Sequence, residues 1–256
     1  MAAISTPDLE RLAVGAWVPD EVELRHGWML RAADGFTGRG NSALVLADPG
    51  ERLDDLLDDV VGFYDDRGLP PLVAVPLPEF DGLHRALRER GWQFHHGGRV
   101  LLRSLDGLAP RPGARTVDIS TELTDDWTAR YQYRGEVLPA AGRRMLVRGD
   151  TVALAAVRDG DDLVAIGRGA VVDGGEHGGW LGVNAVETAP GHRRRGLASD
   201  VLAALVDWAR GHGADRAFLQ VDLANDVART VYERAGFVAH HTYDYLQAPR
   251  PPAGGA

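Results

Sequence analysis

The chain has 256 residues, 28 of them basic and 37 acidic for a formal charge of −9, and 45% are hydrophobic, a globular composition with room for a sizeable core. Every basic residue is Arg and there is no Cys, which excludes a P-loop lysine, a pyridoxal Schiff base, biotin attachment, disulfides, thiolate nucleophiles and Cys-ligated zinc. No basic stripe with interleaved aromatics suits nucleic acid, no run approaches the roughly 20 apolar residues of a membrane helix, and no basic region followed by an apolar run opens the sequence, so a cytoplasmic protein with neither nucleic-acid nor membrane partner is expected.

In chain order, Ser42–Ala47 reads as a short strand. Leu53–Asp66 places Leu53, Leu56, Leu57, Val60, Val61 and Tyr64 at helical spacing, with Asp on the other face. Leu72–Val75 reads as a strand, Asp81–Arg90 as a helix stopped by Gly91, and Val100–Leu102 as part of another strand. Leu108-Ala-Pro-Arg-Pro-Gly-Ala114 suits a short stiff connector and neither a helix nor a central strand. It divides a more acidic first half, 1–110, from a second, 111–248, with 249–256 as a flexible Pro/Gly/Ala tail. In the second half Leu123–Gly135 is a helix, and Thr151–Val157, Leu163–Val172 and Trp180–Val186 are strands divided by Asp/Gly turns. Helix Gly196–Arg210, strand Arg216–Val221, helix Asp226–Ala235 and strand Phe237–Tyr245 complete it. A meander passing into β-α-β-α-β predicts an α/β fold with a mixed, largely antiparallel twisted sheet flanked by helices.

The stretch Val186-Glu-Thr-Ala-Pro-Gly-His-Arg-Arg-Arg-Gly-Leu-Ala-Ser199 carries the chemistry. A strand ends near Thr188, Pro190 stops it, and a helix begins around Gly196. The amides of a loop and first helical turn lack intrahelical partners and sit at the positive end of the helix dipole. Gly196 and Ala198 lack bulk, and Arg193, Arg194 and Arg195 add positive charge. Together they describe an anion site that a pyrophosphate fits best; a bare Arg triplet alone would read as a solvated helix start. Downstream, Asn225 is a natural N-cap and Gly236 a natural left-handed C-cap, with Ala228 and Tyr232 on one helix face between them.

Together these segments resemble the Gcn5-related N-acetyltransferase (GNAT) superfamily. Arg193-Arg-Arg-Gly-Leu-Ala198 matches its acetyl-CoA signature, and Asn225, Ala228, Tyr232, Gly236 and Phe237 match its second motif. The resemblance covers roughly 116–246 and implies an acetyl-CoA-dependent transferase acting on a primary amine, of a small molecule or a protein. It implies main-chain groups of Val186 and Thr188 on the pantetheine arm and thioester, and amides from Arg194 to Ser199, Leu197 included, on the pyrophosphate. It implies Asn225 beside the pantetheine, Ala228 leaving room for the cofactor, and Tyr232 protonating the leaving thiolate. Glu187 is the candidate base, directly or through water; a carboxylate paired with a nearby Arg is the other reading of it.

In the first half, helix Asp81–Arg90 followed by Gly91-Trp92 and a strand echoes the second motif's ending, while Leu46-Ala-Asp-Pro-Gly-Glu-Arg-Leu-Asp-Asp55 keeps only a Pro before a helix. Its carboxylates would repel a pyrophosphate. The chain therefore resembles tandem GNAT proteins with a degenerate N-terminal half, which would form one wall of the acceptor cleft, as a monomer or homodimer. Gly38-Arg-Gly-Asn-Ser-Ala43 precedes a strand where a dinucleotide fingerprint needs a helix. His95-His96 and His240-His241 lie in strand-like stretches where neighbours point apart, and no metal site is expected. The alternative from another class is a non-catalytic acetyl-CoA sensor or scaffold.

Overall fold

The computed structural model describes residues 4–131 and 137–249. In chain order its elements are α1 (Thr6–Ala16), β1 (Glu21–Arg25), β2 (Trp28–Ala32), β3 (Ala43–Val45), α2 (Leu53–Asp65), β4 (Leu72–Leu77), α3 (Asp81–Glu89), β5 (Gln93–Ser104), β6 (Asp118–Ser120), α4 (Asp125–Arg130) and α5 (Ala140–Val147). Then follow β7 (Thr151–Asp159), β8 (Asp162–Asp173), β9 (Gly179–Thr188), α6 (Leu197–Gly211), β10 (Ala214–Asp222), α7 (Asp226–Arg234) and β11 (Val238–Gln247). The helix expected over Leu123–Gly135 is realised as α4, and residues 132–136 lie outside the described ones, as do 250–256 of the expected tail.

Two compact units form: 4–10, 19–99 and 241–249 in one, 11–18, 100–131 and 137–240 in the other. They depart from the halves cut at the connector because β5 and β11 each pass from one unit to the other. The reason lies in their apolar residues: Leu101 of β5, with Leu105 just after it, is buried in the second core, and Leu246 of β11 in the first.

Within the first unit β1, β2 and β3 pair antiparallel in succession, β3 pairs parallel with β4 across the α2 crossover, and β11 pairs antiparallel with β4. The second unit repeats the plan. There β6, β7, β8 and β9 pair antiparallel, and β9 pairs parallel with β10 across α6. This is the mixed, largely antiparallel sheet with helices that the sequence predicts.

Helix α6 sits close on β8 because glycines leave it space. A Cβ on Gly167 would lie 2.5 Å from Val201 Cγ1, and one on Gly169 would lie 3.1 Å from Leu205 Cδ2. Leu197, Val201, Leu202, Leu205 and Val206 are consequently buried against Val164, Leu181 and Val183. Each such side chain removed from water contributes about 1.5–3 kcal/mol.

Candidate active site

The site begins where β9 leaves its neighbours. Its parallel ladder with β10 ends at Val183↔Leu219, while β9 runs on to Thr188 and β10 to Asp222, so the two strands part. On the other side the register with β8 shifts between Arg168↔Asn184 and Ile166↔Glu187. Ala185 and Val186 therefore face the single residue Gly167, a β-bulge with Ala185 in the left-handed region at φ +51°. Val186 packs toward α6, within 3.4 Å of where a Gly167 Cβ would stand. Glu187 then takes the opposite face, with its register partner Ile166 and with Asn184 and Arg168. Glu187 is half-buried and engaged with other groups of the protein.

That opposite face contains a residue which sequence reasoning missed. Arg168 is fully buried and donates to the carbonyls of Ala16 at 2.7 Å, Leu146 at 2.7 Å and Arg148 at 2.8 Å, which end α1 and α5. Carbonyls left over at helix C-termini attract a cation, which lowers the cost of burying this guanidinium.

After β9, Pro190–His192 makes one tight turn, and the Thr188 carbonyl accepts from Arg193 Nε at 3.3 Å. Arg193 is extended, Arg194 is left-handed at φ +61°, and Gly196 is left-handed at φ +82° as the N-cap of α6. No side chain caps this helix. The amides of Ser199 and Asp200 both return to the Gly196 carbonyl at 3.0 Å. Those of Arg195, Gly196, Leu197 and Ala198 have no hydrogen-bond partner among the described residues. Leu197 is buried in the core, whereas Arg194, Arg195 and Ser199 are exposed. Among the described residues neither Arg194 nor Arg195 has an acidic partner for its guanidinium. A pocket of about 240 Å³ opens beside the loop, lined by Arg111, Arg115, His192 and Arg195 together with Asp159.

Two further residues were not visible in the motifs. Asp200, in the first turn of α6, holds Arg111 of the connector with Oδ1 at 2.7 Å from Nε and Oδ2 at 2.8 Å from Nη2. The only sequence signal was a lone carboxylate next to the apolar stripe of α6.

Helix α7 supplies the second segment. Asn225 caps it, its Oδ1 accepting from the Ala228 amide at 3.0 Å. Gly236 ends it at φ +83°, and the Phe237 amide returns to the Tyr232 carbonyl at 3.0 Å. Val186, Ala228 and Tyr232 all border the second core. Tyr232 meets Phe237 edge-on, with centroids 5.9 Å apart. Burial pushes its phenol up to about 12. Its hydroxyl has no hydrogen-bond partner among the described residues, yet no sealed side-chain polar atom is left unsatisfied there. The hydroxyl therefore reaches accessible space, protonated at neutral pH. Among the described residues no cluster of His, Asp and Glu could hold a metal, and no helix is long and apolar enough to cross a membrane.

Comparison with known proteins places this geometry among relatives. The family model "Probable histone acetyltransferase Rv0428c C-terminal" matches residues 5–246. Probable histone acetyltransferase Rv0428c of Mycobacterium tuberculosis is 30% identical over 246 residues, which cover 94% of this chain and 73% of that protein. The uncharacterized N-acetyltransferase YobR of Bacillus subtilis is 26% identical over 246 residues, covering 92% of this chain and 96% of that one. Among solved structures, a GCN5-related N-acetyltransferase from Kribbella flavida shares the fold at a TM-score of 0.72 and 17% identity, covering 98% of each chain. A tandem GNAT protein from the clavulanic acid biosynthesis pathway does so at 0.60 and 14%, covering 98% of this chain and 90% of that one.

Proposed function

We infer the reaction from the premise that this chain belongs to the family of the Rv0428c C-terminal region and is an N-acetyltransferase of GNAT type. The donor is acetyl-CoA and the acceptor a primary amine. One observation carries this reading: two left-handed residues deliver four amides and two Arg, all without partners among the described residues, to the start of α6, beside the point where β9 and β10 part. Amides at a helix N-terminus suit a pyrophosphate, and two parting strands suit a slender arm laid between them. Those residues fit the cofactor, whose thioester supplies the acyl group.

The chain's own residues then have separable tasks. Gly196, Leu197 and Ala198 hold phosphate through N–H groups, with Arg194, Arg195 and Ser199 around them. Main-chain groups of Val186 and Thr188 orient the arm at the bulge. Asn225 fixes the start of α7 and Ala228 keeps its face shallow. Tyr232 carries a proton that a leaving thiolate can take. Glu187, on the face opposite α6, is positioned to accept a proton from an amine arriving on that face. The name of the M. tuberculosis relative, a probable histone acetyltransferase, supports including a lysine-bearing basic protein among the acceptors tested.

The test is calorimetric titration with acetyl-CoA, followed by thiol release across a panel of small amines and basic proteins. Saturable binding and acceptor-dependent release are expected. A folded chain that binds no acetyl-CoA overturns the reading, and binding without release on any acceptor would instead support the sensor.

A further inference from the structure

Asp200 stands out on α6. Its side chain is 0% exposed, although it lies in the first turn of a helix whose neighbouring positions are apolar. The carboxylate accepts from Arg111 Nε and Nη2 and from the Arg115 amide at 3.1 Å, so two donors of the connector and the amide just after it converge on it. The same Arg111 Nη2 donates to the carbonyl of Arg195 at 3.0 Å. A Cβ on Gly196 would lie 2.6 Å from Arg111 Nε, so the guanidinium fills the space that a side chain there would take.

The consequence follows from peptide geometry. In a trans peptide the carbonyl and the following N–H point in opposite directions. Holding the Arg195 carbonyl on Arg111 aims the Gly196 amide away from the connector. Gly196 has no Cβ to oppose rotation, so the peptide plane ahead of it is the one most able to flip. Flipped, it would present a carbonyl oxygen where the phosphate reading of the loop needs a donor. Resting on that reading, we propose that Arg111 and Asp200 are positioning residues that lock the Arg195–Gly196 peptide and thereby preorganise the loop for the phosphates of CoA. A preformed site spends less of its interaction energy on ordering itself, so the effect falls on affinity.

Asp200→Asn separates this from simple electrostatics. It removes a negative charge beside an anion site, so Coulomb's law alone predicts tighter CoA binding. The lock predicts the opposite, a CoA Kd weaker by about tenfold, the scale of one lost charge-assisted hydrogen bond. KM for acetyl-CoA should rise in step while kcat stays near wild type, since neither residue touches the reacting atoms. Arg111→Gln leaves a buried carboxylate with no cationic partner and can unfold the chain. The double variant Arg111→Gln/Asp200→Asn removes both charges, and it should show the same weakening with the wild-type melting transition broadly kept. CoA binding unchanged or tightened in folded Asp200→Asn, or unchanged in the double variant, overturns the proposal. Loss of affinity in Arg111→Gln alone, with Asp200→Asn at wild type, also overturns it, because Arg111 would then be a direct phosphate contact. Wild-type protein that binds no CoA overturns the phosphate reading itself, and the lock with it.

Discussion

The Tyr232 phenol, pushed up to about 12 by burial, sets the terms of its own chemistry. It keeps its proton through the neutral range, so the donor form is always present. An ordinary thiol ionises near 8.5, however, so transfer from so weak an acid to the thiolate runs uphill. Tyr232→Phe should therefore lower kcat toward the low end of the roughly 10²–10⁴-fold range of general acid catalysis, with acetyl-CoA affinity intact because the ring still packs on Phe237. Wild-type kcat in that variant at every pH would return Tyr232 to a packing role. Stability carries a second signature. Burial also pushes Tyr245 up to about 12 and raises Tyr64 further. Each group holds its proton more tightly folded than unfolded, so stability is undiminished below the ordinary phenol value near 10 and falls as pH rises from there through 12. Thermal melting between pH 9 and 12 checks this, and Tyr245→Phe should flatten the fall; an unchanged slope in that variant would contradict it.

At the scale of elements, the strand–loop–helix unit was legible because its glycine, its helix start and its Arg run are local signals. The bulge was not. Ala185 takes a left-handed backbone that nothing in its residue type announces, and the shift is set by Gly167 on the neighbouring strand. The Arg111–Asp200 pair was equally silent, since its members stand far apart in sequence and meet only when the connector crosses α6. Helix α1 and strand β2 escaped notice for a related reason. Each carries a buried charged residue, Glu10 against His241 at 2.7 Å and Arg31 against the Ser42 hydroxyl at 2.7 Å, which breaks an apolar pattern that tertiary partners later satisfy. Two substitutions test what glycine does here. Gly167→Val drives methyls into Val201 and should cost about 1–3 kcal/mol by overpacking, read from the urea midpoint; no loss would mean that α6 can move off β8. Gly196→Glu adds a Cβ against Arg111 at φ +82° and a carboxylate beside the loop amides, and it should abolish acetyl-CoA binding. Unchanged affinity in folded protein would remove this loop from the site.

At the scale of the whole molecule, the repeated plan raises the question of how many acetyl groups one chain can hold at a time. The first unit keeps the crossover, with β3, α2 and β4 answering to β9, α6 and β10. Its loop differs from the one proposed to hold phosphate. The Gly50 amide is taken by Asp48 Oδ1 at 2.9 Å, and the Ala47 carbonyl, on the segment that follows β3, accepts from Trp28 Nε1 at 3.1 Å. Glu51 lies in the turn before α2, and Asp54 and Asp55 lie in its first turn. Carboxylates there already complement the positive end of the helix dipole. A pyrophosphate would meet like charge from these carboxylates, although Asp54 is shared with Arg90 at 2.6 Å. With its glycine amide already taken by Asp48 and acidic side chains around the helix start, the first unit should bind no acetyl-CoA. Calorimetry should give a stoichiometry of one per chain, and Gly196→Glu should remove that single site entirely. Replacing Asp48, Glu51 and Asp54 by their amides should still create no second site. The repulsion goes, but Gly50, the left-handed glycine of this loop, opens the turn before α2, whereas Gly196 caps α6 directly. Two sites in the wild-type chain would mean that the acidic loop rearranges to accept phosphate, and the assignment of the first unit as degenerate would fail.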